Sequence, residues 1–98
     1  MNYIYFIKSL KNGKIYVGYT ETDPKIRLKQ HNTNSNFWTK ENKPFILLYY
    51  ERYYCKTGAI MREKFYKSGF GRKIRDAIIK SVSAKGVESA YGTRSASG

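Results

Sequence analysis

Apolar and aromatic positions gather in two short runs near the start of the chain, Tyr3-Ile4-Tyr5-Phe6-Ile7 and Ile15-Tyr16-Val17-Gly18-Tyr19, separated by a mostly polar stretch that contains Asn12-Gly13. Aromatic and β-branched residues favour a pleated surface, and Asn-Gly accepts the positive φ of a tight reversal, so residues 3–19 predict a β-hairpin. Tyr3, Tyr5 and Ile7 share one face of the first strand, and Tyr16 shares a face of the second with Gly18. Two registers are open. A four-residue loop over residues 10–13 sets Tyr5 opposite Gly18 and Ile7 opposite Tyr16, leaving the phenols as diagonal neighbours roughly 7 Å apart. A two-residue Asn12-Gly13 turn keeps them on one face about 13 Å apart. Gly18, lacking a side chain, is expected to leave open the space in front of the phenols for a substrate backbone.

Beyond the hairpin, Thr22 or Asp23 can cap a helix whose first turn holds Pro24, running to about residue 31. Its spacing puts Arg27 and His31 one turn apart on one face. Residues 32–44 are polar and read as a surface loop, with Phe37 and Trp38 either anchoring it to the core or stacking on an unpaired base. The run Phe45-Ile46-Leu47-Leu48-Tyr49-Tyr50 follows a proline and predicts a strand buried on both faces, taken as an inner strand of the sheet. A second helix, capped by Thr57, spans about residues 58–68 with Gly69 as its stop. Ala59, Tyr66 and Phe70 form an apolar stripe on it whose missing member is Glu63, while Met61 and Phe65 form a competing stripe. A third helix covers residues 71–82, with Ile74, Ala77 and Ile78 inward and Arg72, Lys73, Arg75 and Lys80 outward. Residues 83–98, rich in Ser, Gly and Ala, are expected to be a disordered tail, so residues 1–82 form the one domain.

Charge narrows the partners. The 98 residues carry 19 Lys and Arg against 7 Asp and Glu, a net +12, and the positive residues are not confined to a tail. A polyanion is the expected partner, and nucleic acid is favoured over a membrane surface because no long basic amphipathic helix or lipidation signal is present. Cys55 is the only cysteine, which excludes an internal disulfide and a cysteine-based zinc site. The chain enters a strand at Met1-Asn2-Tyr3 and has no apolar run near the roughly 20 residues of a membrane span, so a cytoplasmic protein is expected.

Several side chains have chemistry to offer. The Arg27 fork matches two phosphate oxygens, and His31 can donate a hydrogen bond or a proton; a plain solvated basic face is the alternative. The tyrosines read equally as half-buried strand aromatics. Glu63, if it faces inward, is costly unless paired or bound to a cation, and its alternative is a surface acid among Arg62, Lys64 and Lys67.

Tyr3-Ile4-Tyr5, Tyr16-Val17-Gly18, Arg27, His31 and Glu63, in that order, together with the stretch 27–32 and the strand from Lys43 to Glu51, resemble the GIY-YIG endonuclease superfamily. The closer likeness is to its small standalone branch, the UvrC N-terminal-like or YhbQ-like (UPF0213-type) proteins, over roughly residues 2–81. Tyr3 stands where the family name has its first glycine, and residues 68–80 lack the late asparagine of many members. The resemblance implies an α/β (α+β) fold, a central three-stranded antiparallel sheet flanked by helices, in agreement with the order β-β-α-β-α-α read above. It also implies divalent-metal-dependent hydrolysis of DNA linked to repair or recombination. Tyr16 is then the general base for the attacking water, supported by Tyr5. Arg27 binds the scissile phosphate, His31 assists, and Glu63 holds one Mg²⁺ or Mn²⁺.

A phenol with a pKa of about 10 needs a nearby cation to act as a base at neutral pH, and one carboxylate suits Mg²⁺, which keeps most of its waters. Gly18, Lys64, Lys67, Arg72 and Lys73 are the expected nucleic-acid contacts, positioning DNA through phosphates without reading sequence. No small-molecule cofactor is expected, RNA is a second candidate substrate, and a protein partner supplying specificity fits so small a domain. The competing reading is a binding module of the same fold that does not cut.

Overall fold

The centre of the sheet belongs to the first strand. In a computed structural model that describes residues 1–33 and 37–84, β1 (Asn2–Ser9) pairs antiparallel with both β2 (Ile15–Thr20) and β3 (Phe45–Tyr53), giving the order β2-β1-β3. The architecture is α+β, with a three-stranded antiparallel sheet flanked by helices. Ile4, Tyr5, Phe6 and Ile7 are each at most 5% exposed, as a strand covered on both faces and both edges requires.

The expectation that residues 45–50 form an inner strand is corrected: β3 is an edge strand. Its apolar run reflects cover from helices on both faces of the sheet, together with a bulge opposite Phe6/Ile7 that interrupts its alternation. The hairpin takes the four-residue loop. Gly13 sits at φ 76°, its N–H donates to the Ser9 carbonyl, and Tyr5 faces Gly18 while Ile7 faces Tyr16.

On the Tyr5 face lies α1 (Pro24–Thr33), whose start is capped by Asp23 accepting from the Lys25 N–H at 2.8 Å. Asn32 near its end clamps the beginning of β3, accepting from the Phe45 N–H at 2.7 Å and donating to the Phe45 carbonyl at 3.1 Å. The segment read as a loop contains a short helix, α2 (Phe37–Asn42), too brief for a hydrophobic period to announce it. The side chains of Phe37 and Trp38 lie outside the described residues, as does the expected tail from residue 85 onward.

The other face is covered by α3 (Lys56–Lys67) and α4 (Gly69–Ala84), through Ala59, Tyr66, Ile74 and Ile78 against Ile4, Phe6 and Val17. Cys55, not Thr57, is the N-cap of α3, and it makes no side-chain cap bond. The expected stripe holds for Ala59 and Tyr66, both fully buried, but ends before Phe70, which is 68% exposed at the start of α4. Ser68 joins the two helices. Its hydroxyl donates to the Phe65 carbonyl at 2.6 Å and accepts from the Gly71 N–H at 3.1 Å. Gly71 is held there by space, since a β-carbon on it would fall 1.6 Å from the Phe65 carbonyl oxygen.

One carboxylate ties α3 to the sheet. Glu51 on β3 accepts from the hydroxyls of Tyr49, Tyr53 and Tyr66, with the Arg62 guanidinium 3.7 Å away. Arg62 in turn lies over the Phe65 and Tyr66 rings. Burial first, and then the neighbouring carboxylate, push the Tyr66 phenol up to about 12 and raise Tyr49 and Tyr53 as well.

Candidate active site

The hairpin register brings Tyr5 and Tyr16 to one face as diagonal neighbours across β1 and β2. A cleft of about 380 Å³ opens there, lined by Tyr5, Tyr16, Gly18, His31 and the basic side chains Lys67, Arg72 and Arg75. Strand chemistry meets helix charge in it: the phenols come from the sheet, His31 from α1, and the cations from the end of α3 and the start of α4.

Tyr5 is the more buried phenol, at 5% exposure, and its hydroxyl lies 3.0 Å from His31 Nε2. Burial raises Tyr5, and Arg27 opposes that as a nearby hydrogen-bonding cation. Burial also lowers His31, and the Arg27 charge adds to the effect, so the imidazole is neutral at neutral pH and Nε2 can accept the Tyr5 proton. The space beside Gly18 is not open as expected. A β-carbon on residue 18 would lie 2.4 Å from both Cζ and the hydroxyl oxygen of Tyr5, so the absent side chain admits the phenol itself.

Tyr16 donates to Asn42 Oδ1 at 3.0 Å, and its ring stands edge-on to Phe45, 5.8 Å between centroids. Phe45 also meets the His31 ring at 5.9 Å, which sets it between these two site residues. Asn42 gives no signal in the sequence, being 26 residues from Tyr16 and drawn in by the fold of α2.

Arg27 lies at the edge of this group, with NH1 donating to Gln30 Oε1 at 3.1 Å while its charge acts on both Tyr5 and His31. Glu63 is on the same side of the molecule as the cleft, close enough for its charge to act on Tyr5, and its Oε2 is 3.0 Å from Lys67 Nζ. Its side chain is 21% exposed, which is neither the buried acid nor the plain surface acid of the two sequence readings.

Of the expected nucleic-acid contacts, Gly18, Lys67 and Arg72 line the cleft, whereas Lys64 and Lys73 are exposed and do not line it. Arg75, read as an outward charge, lines the cleft with a side chain only 20% exposed, and Ala77, read as inward, is exposed. An arginine can lay its aliphatic stem along a core while its head stays wet, and apolar periodicity alone does not register that.

Among the described residues no three His, Cys, Asp or Glu side chains come together as a metal-holding group. The donor set therefore fits only a cation that takes most of its ligands from water and phosphate. Glu63, whose Oε2 is engaged by Lys67 Nζ, is the carboxylate beside the cleft, and Mg²⁺ commonly needs no more than one or two carboxylates. Among the described residues no helix is long and apolar enough to cross a membrane.

Comparison with known proteins identifies the family. The profile of the GIY-YIG catalytic domain matches residues 1–75. A UPF0213 protein of Staphylococcus haemolyticus is 35% identical over 80 residues, spanning 81% of this chain and 94% of its own. Another from Staphylococcus saprophyticus is 36% identical over 78 residues, 80% of this chain and 93% of its own. A third, from Bacillus licheniformis, is 30% identical over 88 residues, 89% of each chain. No solved structure matches the chain significantly. With a profile match running from the hairpin to the first turns of α4, the chain belongs to the GIY-YIG family.

Proposed function

We propose that this protein is an endonuclease that hydrolyses DNA phosphodiester bonds with low sequence specificity and with the help of one divalent cation. The observation that carries this reading is the single cleft in which two phenols and a neutral imidazole face three cations, Lys67, Arg72 and Arg75. Phosphate binding alone would call for the cations and would leave the phenols and Glu63 without a task.

In this reading Tyr16, as the phenolate that the surrounding cations favour, takes the proton of the attacking water, its oxygen being the phenolic oxygen of the site that is not engaged with His31. Tyr5 stays protonated, since burial raises it, and through its bond with His31 it holds the floor of the cleft in place. Arg27, Lys67, Arg72 and Arg75 orient the phosphodiester and stabilise the charge that grows on it in the transition state. Glu63 would hold Mg²⁺ or Mn²⁺, which would supply positive charge against the negative charge that grows in the reaction.

The cleft offers few groups that could read base edges, so contacts with the backbone dominate and specificity has to come from DNA shape or from a protein partner.

The test is nicking of supercoiled plasmid and of branched and single-stranded DNA and RNA oligonucleotides, with Mg²⁺, with Mn²⁺ and with EDTA, beside Glu63→Ala. Metal-dependent cleavage of DNA that disappears in the variant is the expected result. Equal binding by both proteins with no cleavage of any substrate would replace this reading with that of a binding module.

A further inference from the structure

Two groups with opposite tasks in the nuclease reading are already bound to each other. Glu63 and Lys67 are an i,i+4 pair on α3, one turn apart on one face, and Lys67 Nζ is 3.0 Å from Glu63 Oε2. Lys67 lines the cleft, and the charge of Glu63 acts on Tyr5 in the wall of that cleft. The pair therefore sits at the site and not on a remote surface. The Lys67 side chain is 55% exposed against 21% for Glu63, so the ammonium is the partner with room to leave. Arg62, next to Glu63 in sequence, is committed elsewhere: it is 3.7 Å from Glu51 and lies over the Phe65 and Tyr66 rings. An ion pair within one helix and half open to water is weak, which leaves the lysine open to capture by a better anion.

Resting on the nuclease reading of this cleft, we propose that Lys67 is shared between Glu63 and the DNA backbone, and that this sharing makes DNA and the divalent cation favour each other. In the free protein Lys67 neutralises Glu63 and competes with a cation for its oxygens. A phosphodiester seated in the cleft draws the ammonium to itself and leaves the carboxylate with its full charge. Conversely, Glu63 occupied by a cation no longer retains the ammonium, which becomes free for phosphate. Linkage makes the two effects equal in size, so the protein holds the cation weakly until a backbone is in place. A phosphate oxygen beside the cation would add coupling of its own, and the discriminating evidence is therefore what happens when Lys67 is changed.

The test has two arms, and neither needs cleavage. In the first, Mn²⁺ binding to the whole protein without DNA is followed by the electron paramagnetic resonance signal of free Mn²⁺. Lys67→Gln is expected to tighten it about three- to tenfold, the effect of removing one charge close to a divalent ion in water. Lys64→Gln removes the same charge from an exposed position next to Glu63 in sequence and changes the affinity by less than about twofold, as screening of a solvated charge predicts. On a Glu63→Gln background the Lys67→Gln gain disappears. In the second arm, binding of a short fluorescent DNA duplex is measured by anisotropy in EDTA. Glu63→Gln releases Lys67 and tightens binding about threefold, whereas on a Lys67→Gln background the same substitution gains less than about half of that in fold-change. Glutamine suits a helix and keeps a long side chain, so these variants retain α3.

Lys67→Gln that binds Mn²⁺ no more tightly than wild type overturns the competition at Glu63, and a gain matched by Lys64→Gln does the same by reducing it to net charge. A Glu63→Gln gain in DNA binding that persists undiminished on the Lys67→Gln background overturns the sharing with phosphate. A protein that gives the expected result in both arms and cuts no substrate counts against the nuclease reading alone; one that nicks DNA and fails them keeps that reading and loses the exchange of Lys67.

Discussion

The Tyr5 ring and Gly18 face each other across β1 and β2 at a separation that leaves no room for a methyl group. The ring is nearly buried and its hydroxyl is engaged with His31, so it has little freedom to withdraw. Gly18→Ala is expected to push the phenol aside, break its contact with His31 and lower stability by about 1–3 kcal/mol, as overpacking of a filled core commonly does. Thermal unfolding measures the loss, and nicking activity should fall with it.

Protonation of His31 is opposed by burial and by Arg27, so its folded pKa lies below the unfolded value. The sign follows. Stability from the neutral imidazole is fully present above the ordinary histidine range, near pH 6.5, and is lost as pH falls through the lower folded value. His31→Gln should remove this acid-side loss. Denaturant midpoints of both proteins between pH 5 and pH 7.5 test it, and parallel curves would show that His31 is not the group responsible.

Glu51 holds three phenols and an arginine, and its loss would strand them. Glu51→Ala is expected to cost about 3–5 kcal/mol, the range for breaking a buried charged network by removing one partner. At the alkaline end the raised phenols give a second signature. The folded state keeps protons that the unfolded chain releases, so stability is present below about pH 10 and declines as pH rises through the Tyr66 value of about 12. Urea unfolding between pH 9 and pH 11.5 should show this decline in wild type, with a shallower slope in Glu51→Gln.

Lys67, Arg72 and Arg75 line the cleft, whereas Lys64 and Lys73 do not. If DNA phosphates seat in the cleft, Arg72→Ala and Arg75→Ala each reduce the salt dependence of binding by about 0.9 in log–log slope and reduce nicking, while Lys73→Ala changes nicking little. Binding isotherms from about 50 to 200 mM salt measure the slopes. Equal slope changes at all of these positions would instead indicate a diffuse basic surface.

Much of this arrangement is legible in the sequence where chemistry is local. The hairpin, one of its two allowed registers, the cap of α1 and the pairing of Arg27 with His31 along one helix follow from neighbours a few residues apart. What is not legible depends on distant partners. The apolar run of β3 reports helices over both faces, which looks the same in sequence as strands along both edges. Arg75 disappears into a helix pattern scored on apolarity alone, and six residues of α2 are too few to show a period. Asn42 reaches Tyr16 across 26 residues and Asn12 across 30, and nothing in its own surroundings marks it.

Ser68 serves two helices with one hydroxyl, closing α3 and opening α4, and Gly71 lets the second helix start against the last carbonyls of the first. Lys67 stands just before this joint and Arg72 just after it. With no flexible linker between them, the spacing of the two backbone positions is a property of the joint rather than of a loop's fluctuations. If DNA phosphates seat in the cleft, the two side chains reach for them from fixed starting points, and a strand whose curvature suits those points is favoured. Discrimination by strand geometry would then be built into a turn that touches no base.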